Sequence, residues 1–292
     1  MNPKRSEEKT VILDYSVPLL FAPSSIMPIT TAVPLRHYCQ EEFGKVAYEV
    51  VHHAFEVHDS IGRIFHESIY RSNLNRILGN RSIQELPIYL THQGFRKELF
   101  IDLVVDLGCP FELKATSELT DAHQSQLIQY LMLTGLSHGK LINFGAERVE
   151  HRFVNCHETH DQRRQFQIEH VDWHGDKPTE RLEQTVVSLV RDWGTGLSRL
   201  LYHEAIVALL GAAEQYEQYT DTHWRGEKTG RQPVDLIEPG VAIEITCKKN
   251  DLDHYESHLQ RFLANTELRS ILWVNIVSGT VRLQRIGREQ EP

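Results

Sequence analysis

The sequence predicts a mixed α/β fold, an α+β sandwich of helices on a mixed sheet, and three observations predict it. Apolar residues recur every three or four positions over 36–62 and 64–80, and short apolar or alternating runs follow between 83 and 115. Helical spacing then returns from about residue 119, before one or two further strand-like runs. Helix, helix, three strands, helix, strand is the order of a sheet flanked by helices.

In "RHYCQEEFGKVAYEVVHHAFEVHDSIG", Phe43, Val46, Val50, Ala54 and Val57 form one apolar stripe, and Gly62 breaks the pattern. "IFHESIYRSNLNRILGN" reads as a second helix with a Gly-Asn stop. "IQELPIYLTH", "ELFIDLVVD" and "PFELKA" read as strands, the last two joined by a tight turn at "DLGC". A helix over Leu119–Thr134, the strand "KLINFG" and a further strand "EHRFVN" complete the unit.

The 292 residues suffice for one large domain or two ordinary ones. Lys plus Arg number 31 against 40 Asp plus Glu, a formal charge of −9, so no global basic field draws in nucleic acid. A polyanion would have to be met by a local patch or by metal. Cys39, Cys109, Cys156 and Cys247 are far apart, which suits reduced thiols and a cytoplasmic location. The charge-poor stretch after Asp14 carries Pro18, Pro23, Pro28 and Pro34, and "KRSEEK" before it mixes acids with bases. Residues 1–35 are therefore expected to be an extended or disordered arm, neither signal peptide nor membrane span.

Residues 36–155 form the first expected domain, and the polar, His-rich 156–178 the linker. Residues 179–292 then look like the first domain again. "VVSLVRDWGTGLSRLLYHEAIVALLG" echoes "VVHHAFEVHDSIGRIFHESIYRSNL", with Glu204 in the place of Glu67. "PVDLIEPGVAIEIT" sets Asp235 and Glu244 opposite Asp102 and Glu112, and chance similarity of short apolar strands is the alternative. Thr246 stands where a counterpart of Lys114 would fall, Phe262 where Tyr130 would, and Lys248 lies two residues further along. A degenerate second copy is expected, with Lys248 as a conceivable substitute.

Charges in apolar strands are costly to desolvate, so Asp102, Glu112 and Lys114 are either surface residues or hold something. Period-2 alternation puts Glu112 and Lys114 on one face, and Asp102 on the neighbouring strand shares it if the register allows. Two converging carboxylates suit a hard divalent cation, and a lysine beside them can orient or deprotonate a water or neutralise a phosphate. Glu-x-Lys alone is a weak signal, since most such pairs are solvated strand faces. Here Phe111, Leu113 and Ala115 mark the strand as half-buried.

Together, "AFEVHDSIG", "FHESIY", Asp102, "ELKA", "QLIQYL" and "LINFG" resemble the GxxExxY proteins of the PD-(D/E)xK nuclease superfamily, over residues 42–155. The resemblance implies a restriction-endonuclease-like sheet flanked by helices. It also implies that Asp102 and Glu112 bind Mg2+ or Mn2+, that Lys114 is catalytic and that Glu67 assists. Gln126 and Tyr130 match a Gln-x-x-x-Tyr pattern that supports the site or touches DNA. The glycine of the naming motif would fall at Ile64, and Gly62 is the nearest.

Other residues have plainer readings. His58 and His123 fit a core or helix-surface role as well as a site. His151, Cys156, His157 and His160 lack the paired spacing of a zinc site. Lys248, Lys249 and Arg269 would make a small basic patch or a solvated edge. No phosphate loop, dinucleotide fingerprint or nucleophile elbow occurs. The expectation is therefore metal-dependent phosphodiester hydrolysis of nucleic acid, DNA foremost, by the first domain, with a homodimer as one route to cutting both strands. The alternative is an inactive nuclease-fold module that binds nucleic acid or a protein.

Overall fold

The computed structural model describes residues 11–14, 28–211 and 218–288. The first elements in chain order are β1 (Val11–Asp14), β2 (Ile29–Thr31), α1 (Gln40–Ile61), α2 (Glu67–Leu78), β3 (Ser82–His92), β4 (Phe95–Val105) and β5 (Cys109–Lys114). Next come α3 (Asp121–Thr134), β6 (His138–Asn143), β7 (Glu150–Asn155), α4 (His160–Arg164), β8 (Gln167–Val171), α5 (Lys177–Trp193) and α6 (Arg199–Leu209). The last are β9 (Tyr219–Trp224), β10 (Glu227–Pro233), β11 (Asp235–Glu238), β12 (Val241–Thr246), α7 (Leu252–Ala264), β13 (Ser270–Val277) and β14 (Thr280–Gly287). The described residues divide into two compact units, one of residues 28–92 and 96–160, the other of residues 11–14, 93–95, 161–211 and 218–288.

The first unit is built on a six-stranded sheet in the order β2-β3-β4-β5-β6-β7. It is mixed: β4 and β5 are antiparallel, β5 and β6 parallel, β6 and β7 antiparallel. The apolar stripe of α1 supplies Phe43, Val50, Ala54 and Val57 to a core shared with Tyr70 and Leu74 of α2 and with Leu103, Phe111 and Ile142 of the sheet. Leu127 and Leu131 of α3 pack instead with Leu141 and Val154. Helices thus cover both faces of a mixed sheet, as a restriction-endonuclease-like α/β fold requires.

Two local features set the register near the sheet centre. Between β4 and β5, Asp106 and Leu107 both take positive φ (49° and 62°), the sense that twist-matched hairpin turns need. Gly108 follows where a Cβ would lie 2.1 Å from the Arg36 carbonyl oxygen, so no larger residue fits. Arg81 locks the turn by binding Asp106 at 2.7 and 2.9 Å and Glu49 at 2.7 and 3.1 Å. At the end of α1, Gly62 takes φ 80° and its carbonyl accepts the Tyr70 hydroxyl at 2.7 Å, which fixes the start of α2. Ile64, where the motif glycine was expected, is 89% exposed.

The second unit has the sheet β1-β8-β14-β13-β12-β11 and a separate hairpin, β9-β10. Again β11 and β12 are antiparallel, β12 and β13 parallel, β13 and β14 antiparallel. Leu259 and Leu263 of α7 pack with Ala242, Ile271 and Trp273.

Three expectations differ from the structure. Within the arm expected over 1–35, Val11–Asp14 pairs with β8 and Ile29–Thr31 with β3, while residues 1–10 and 15–27 lie outside the described residues. The polar 156–178 is no free linker: β8 pairs in parallel with β14, and Arg163 is 2% exposed, donating to the carbonyls of Trp193 and Thr195. Polar alternation hid a strand there. Finally, Glu204 does not match Glu67. Glu67 is the first residue of α2, and Arg199 holds that place in α6.

Candidate active site

Three elements bring the charged residues together. Beyond the last paired positions of β4 and β5, Leu103 and Phe111, come Asp102 and Glu112. Asp102 Oδ2 accepts the Leu113 amide at 2.8 Å, so one carboxylate oxygen completes the main-chain pairing of β5. Glu112 is 1% exposed; its Oε1 accepts from Lys114 Nζ at 2.7 Å, and its Oε2 is buried without a hydrogen-bond partner. Glu67, at the N-terminus of α2, faces Lys114 Nζ at 3.7 Å. Asp102, Glu112, Lys114 and Glu67 therefore form one cluster.

Its electrostatics follow from burial. Desolvation pushes the Glu112 carboxyl up to about 8, with the charge of Asp102 adding to the push. Burial and then Asp102 also raise Glu67. Burial works against the charge of Lys114, yet Glu112, Glu67 and Asp102 outweigh it and hold the lysine above its ordinary value. A lysine so held stays an ammonium, suited to offsetting phosphate charge rather than to removing a proton.

The orphaned Glu112 oxygen and the acid pair around it are hard oxygen donors, the chemistry of a site for a divalent ion that keeps some waters. Among the described residues no group of three or more His, Cys, Asp or Glu is gathered as a ready cage, so water or substrate oxygens would complete the coordination. Residues 102 and 112 fit such an ion on those terms.

Gln126 and Tyr130, one turn apart on α3, bond to each other, Gln126 Nε2 to the Tyr130 hydroxyl at 3.0 Å. Tyr130 is 6% exposed, and burial raises its phenol, with Glu112 and Asp102 close enough to contribute. His123 is a cap: its Nδ1 accepts the Thr120 amide at 3.2 Å. His58 does not engage Glu67; its Nε2 lies 3.2 Å from the Ala146 carbonyl oxygen. An apolar groove of this unit, lined by Tyr48, Val51, Phe55 and Phe153 among others, includes none of the site's acids.

Three residues escaped the sequence reading. Arg71 donates to Asp102 Oδ1 at 3.0 Å and to Glu85 Oε1 at 2.7 Å, and Glu85 has φ 48° within β3. Asn143 is fully buried, its Oδ1 taking the amides of Thr116 and Gly145 and its Nδ2 reaching the Thr116 carbonyl. A lone Asn inside the apolar "LINF" was the available signal for the last; Arg71, four residues after Glu67, looked like an ordinary helix-surface pair.

In the second unit the acids have other partners. His203 Nε2 lies 2.6 Å from Asp235 Oδ2, and the Tyr255 hydroxyl donates to Glu244 Oε1 at 2.5 Å. Thr246 bonds Asn275 at 2.7 Å and accepts from Trp273 at 2.8 Å. Lys248 does not reach the acids; its Nζ sits 5.1 Å from the centre of the Tyr255 ring. Arg269 is held by the Pro239 carbonyl and Glu238. No helix among the described residues is long and apolar enough to cross a membrane.

Comparison with known proteins finds a family model that matches part of the chain. No curated protein matches. A solved structure described as "Crystal structure of SSO0001" is 18% identical, over 37% of this chain and 61% of that one, with a TM-score of 0.26. The chain thus spans under two thirds of that protein. The family model described as the PD-(D/E)XK nuclease superfamily matches residues 44–154, the stretch that contains Glu67, Asp102, Glu112 and Lys114.

Proposed function

We propose that residues 36–155 are a divalent-metal-dependent nuclease domain that hydrolyses phosphodiester bonds, with DNA as substrate and Mg2+ or Mn2+ as the ion. The observation that carries this is the buried, partnerless Oε2 of Glu112 beside Asp102 and Lys114, inside the stretch that the nuclease family model matches. Buried polar atoms in folded proteins almost always have partners, so an orphaned carboxylate oxygen marks a place where something binds.

In this reading Asp102 and Glu112 hold the ion. When bound, the ion would offset charge on the scissile phosphate. Lys114 remains an ammonium, positions the attacking water through hydrogen bonding and stabilises the negative charge that builds in the transition state. Glu67 keeps Lys114 oriented, and Gln126 with Tyr130 lines the substrate side as a bonded pair.

Residues 179–292 we read as a diverged copy. Matching features stand 132 positions apart: Gly62 and Gly194, Tyr70 and Tyr202, Glu112 and Glu244, Asn143 and Asn275. Each tyrosine hydroxyl donates to its glycine's carbonyl, at 2.7 and 2.6 Å. With Thr246 in the lysine's place and Tyr255 on Glu244, this copy is a non-catalytic scaffold or binding unit. One active site per chain cuts both strands of a duplex in a single encounter only when two chains pair.

The test is incubation of the pure chain with supercoiled plasmid and with labelled single- and double-stranded oligonucleotides, under Mg2+, Mn2+ or chelator, beside Lys114→Ala. Metal-dependent cleavage should fall about a thousandfold in the variant while its melting is little changed. Absence of cleavage on every substrate, with gel shifts intact, would replace the nuclease by a nucleic-acid-binding module.

A further inference from the structure

We propose, resting on the metal-dependent reading above, that Arg71 competes with a divalent cation for Asp102 and so sets how tightly the acid pair holds an ion. Both oxygens of Asp102 are in use: Oδ2 takes the Leu113 amide at 2.8 Å and Oδ1 takes Arg71 Nη1 at 3.0 Å. The amide belongs to the strand and cannot leave without breaking β5. The guanidinium can, because its other nitrogen already holds Glu85 at 2.7 Å, and the Glu85 side chain is 60% exposed against 12% for Arg71. Glu85 keeps a positive φ of 48°, a backbone conformation that a residue other than glycine holds only under constraint. The arginine thus has an outer perch as well as an inner one.

The second unit shows what this cation is for. His203 follows Tyr202 as Arg71 follows Tyr70, and it too binds the strand aspartate, Asp235, at 2.6 Å. That pair exists although the strand lysine is replaced by Thr246 and Glu244 is engaged by Tyr255. A helix partner on the aspartate therefore does not depend on the lysine: in each unit the residue after the tyrosine answers the strand aspartate. In the first unit, where Glu112 Oε2 has no partner, the partner of Asp102 is a permanently charged guanidinium, which repels a second cation at the same carboxylate.

Calorimetric titration of the full chain with Mn2+ at pH 8 tests this, comparing the native protein with Arg71→Gln, Arg71→His and Asp102→Asn. Arg71→Gln should bind Mn2+ about tenfold more tightly, and Arg71→His, whose imidazole is largely neutral at pH 8, should also bind it more tightly than the native chain. Melting curves should show Arg71→Gln less stable than native without Mn2+ and gaining more from it. If Arg71→Gln fails to fold, Arg71→His carries the comparison. Binding by the native chain that both Arg71 variants match or weaken overturns the competition and makes Arg71 a positioning residue for Asp102. No Mn2+ binding by any chain, or undiminished binding by Asp102→Asn, overturns the proposal together with the metal-dependent reading.

Discussion

The two units answer the same problem, a pair of acids on adjacent antiparallel strands of a mixed sheet, in opposite ways. In the second, Asp235 and Glu244 are each satisfied by a neutralising or hydrogen-bonding side chain, His203 and Tyr255. In the first, Asp102 is satisfied but Glu112 is sealed at 1% exposure with one oxygen unpartnered and a lysine on the other. The satisfied arrangement is the comfortable one for folding. The unsatisfied one costs stability, and a chain keeps such a cost where chemistry uses it.

The largest effect should come from the acid whose partners distinguish the units. Glu112→Gln should lower metal-dependent cleavage about a thousandfold, whereas Glu244→Gln should leave it unchanged. Equal losses in a plasmid-cleavage assay would break the contrast and make both units active. A second comparison probes what the units share. Asn143→Ala and Asn275→Ala each remove buried bonds that tie the ends of two parallel strands, to Thr116 in one unit and to Lys248 in the other. Each should cost about 2–3 kcal/mol in denaturant unfolding; a near-neutral result for one alone would show that the common frame is held differently.

The smallest effect is a pH dependence. Glu112 has a folded value of about 8 against an ordinary 4.5, so the folded protein keeps a proton that the unfolded chain gives up. Its contribution is therefore complete below the unfolded value and is lost as the pH rises through about 8. The metal-free chain should melt a few degrees lower at pH 9 than at pH 6, and Glu112→Gln should flatten that fall. A fall of the same size in the variant would assign the effect elsewhere.

Much of the frame was legible in the chain because it follows from local periodicity. The stripe of α1, the turn at Asp106–Gly108 and the alternation that sets Glu112 beside Lys114 all depend on residues within one or two turns of each other. The α3 pair Gln126 and Tyr130 was legible for the same reason, being four residues apart. The equivalence expected between the second helices of the two halves was not legible. Glu204 resembled Glu67 by residue type, whereas the folded position depends on where α6 starts, at Arg199 after the Ser198 cap.

Sequence alone therefore determined the order of elements over residues 36–155, the mixed sheet flanked by helices and the acid, acid, lysine set, because patterns of period 2 and 3.6 encode which residues share a face. Tertiary structure alone decided how each charge is answered: Arg71 against Asp102, Lys248 over Tyr255 rather than on Glu244, and Gln167–Val171 as a sheet strand. Those outcomes depend on which strand and helix ends meet after long chain excursions, and on how much water is left where they meet. Neither quantity is carried by the spacing of residues along the chain.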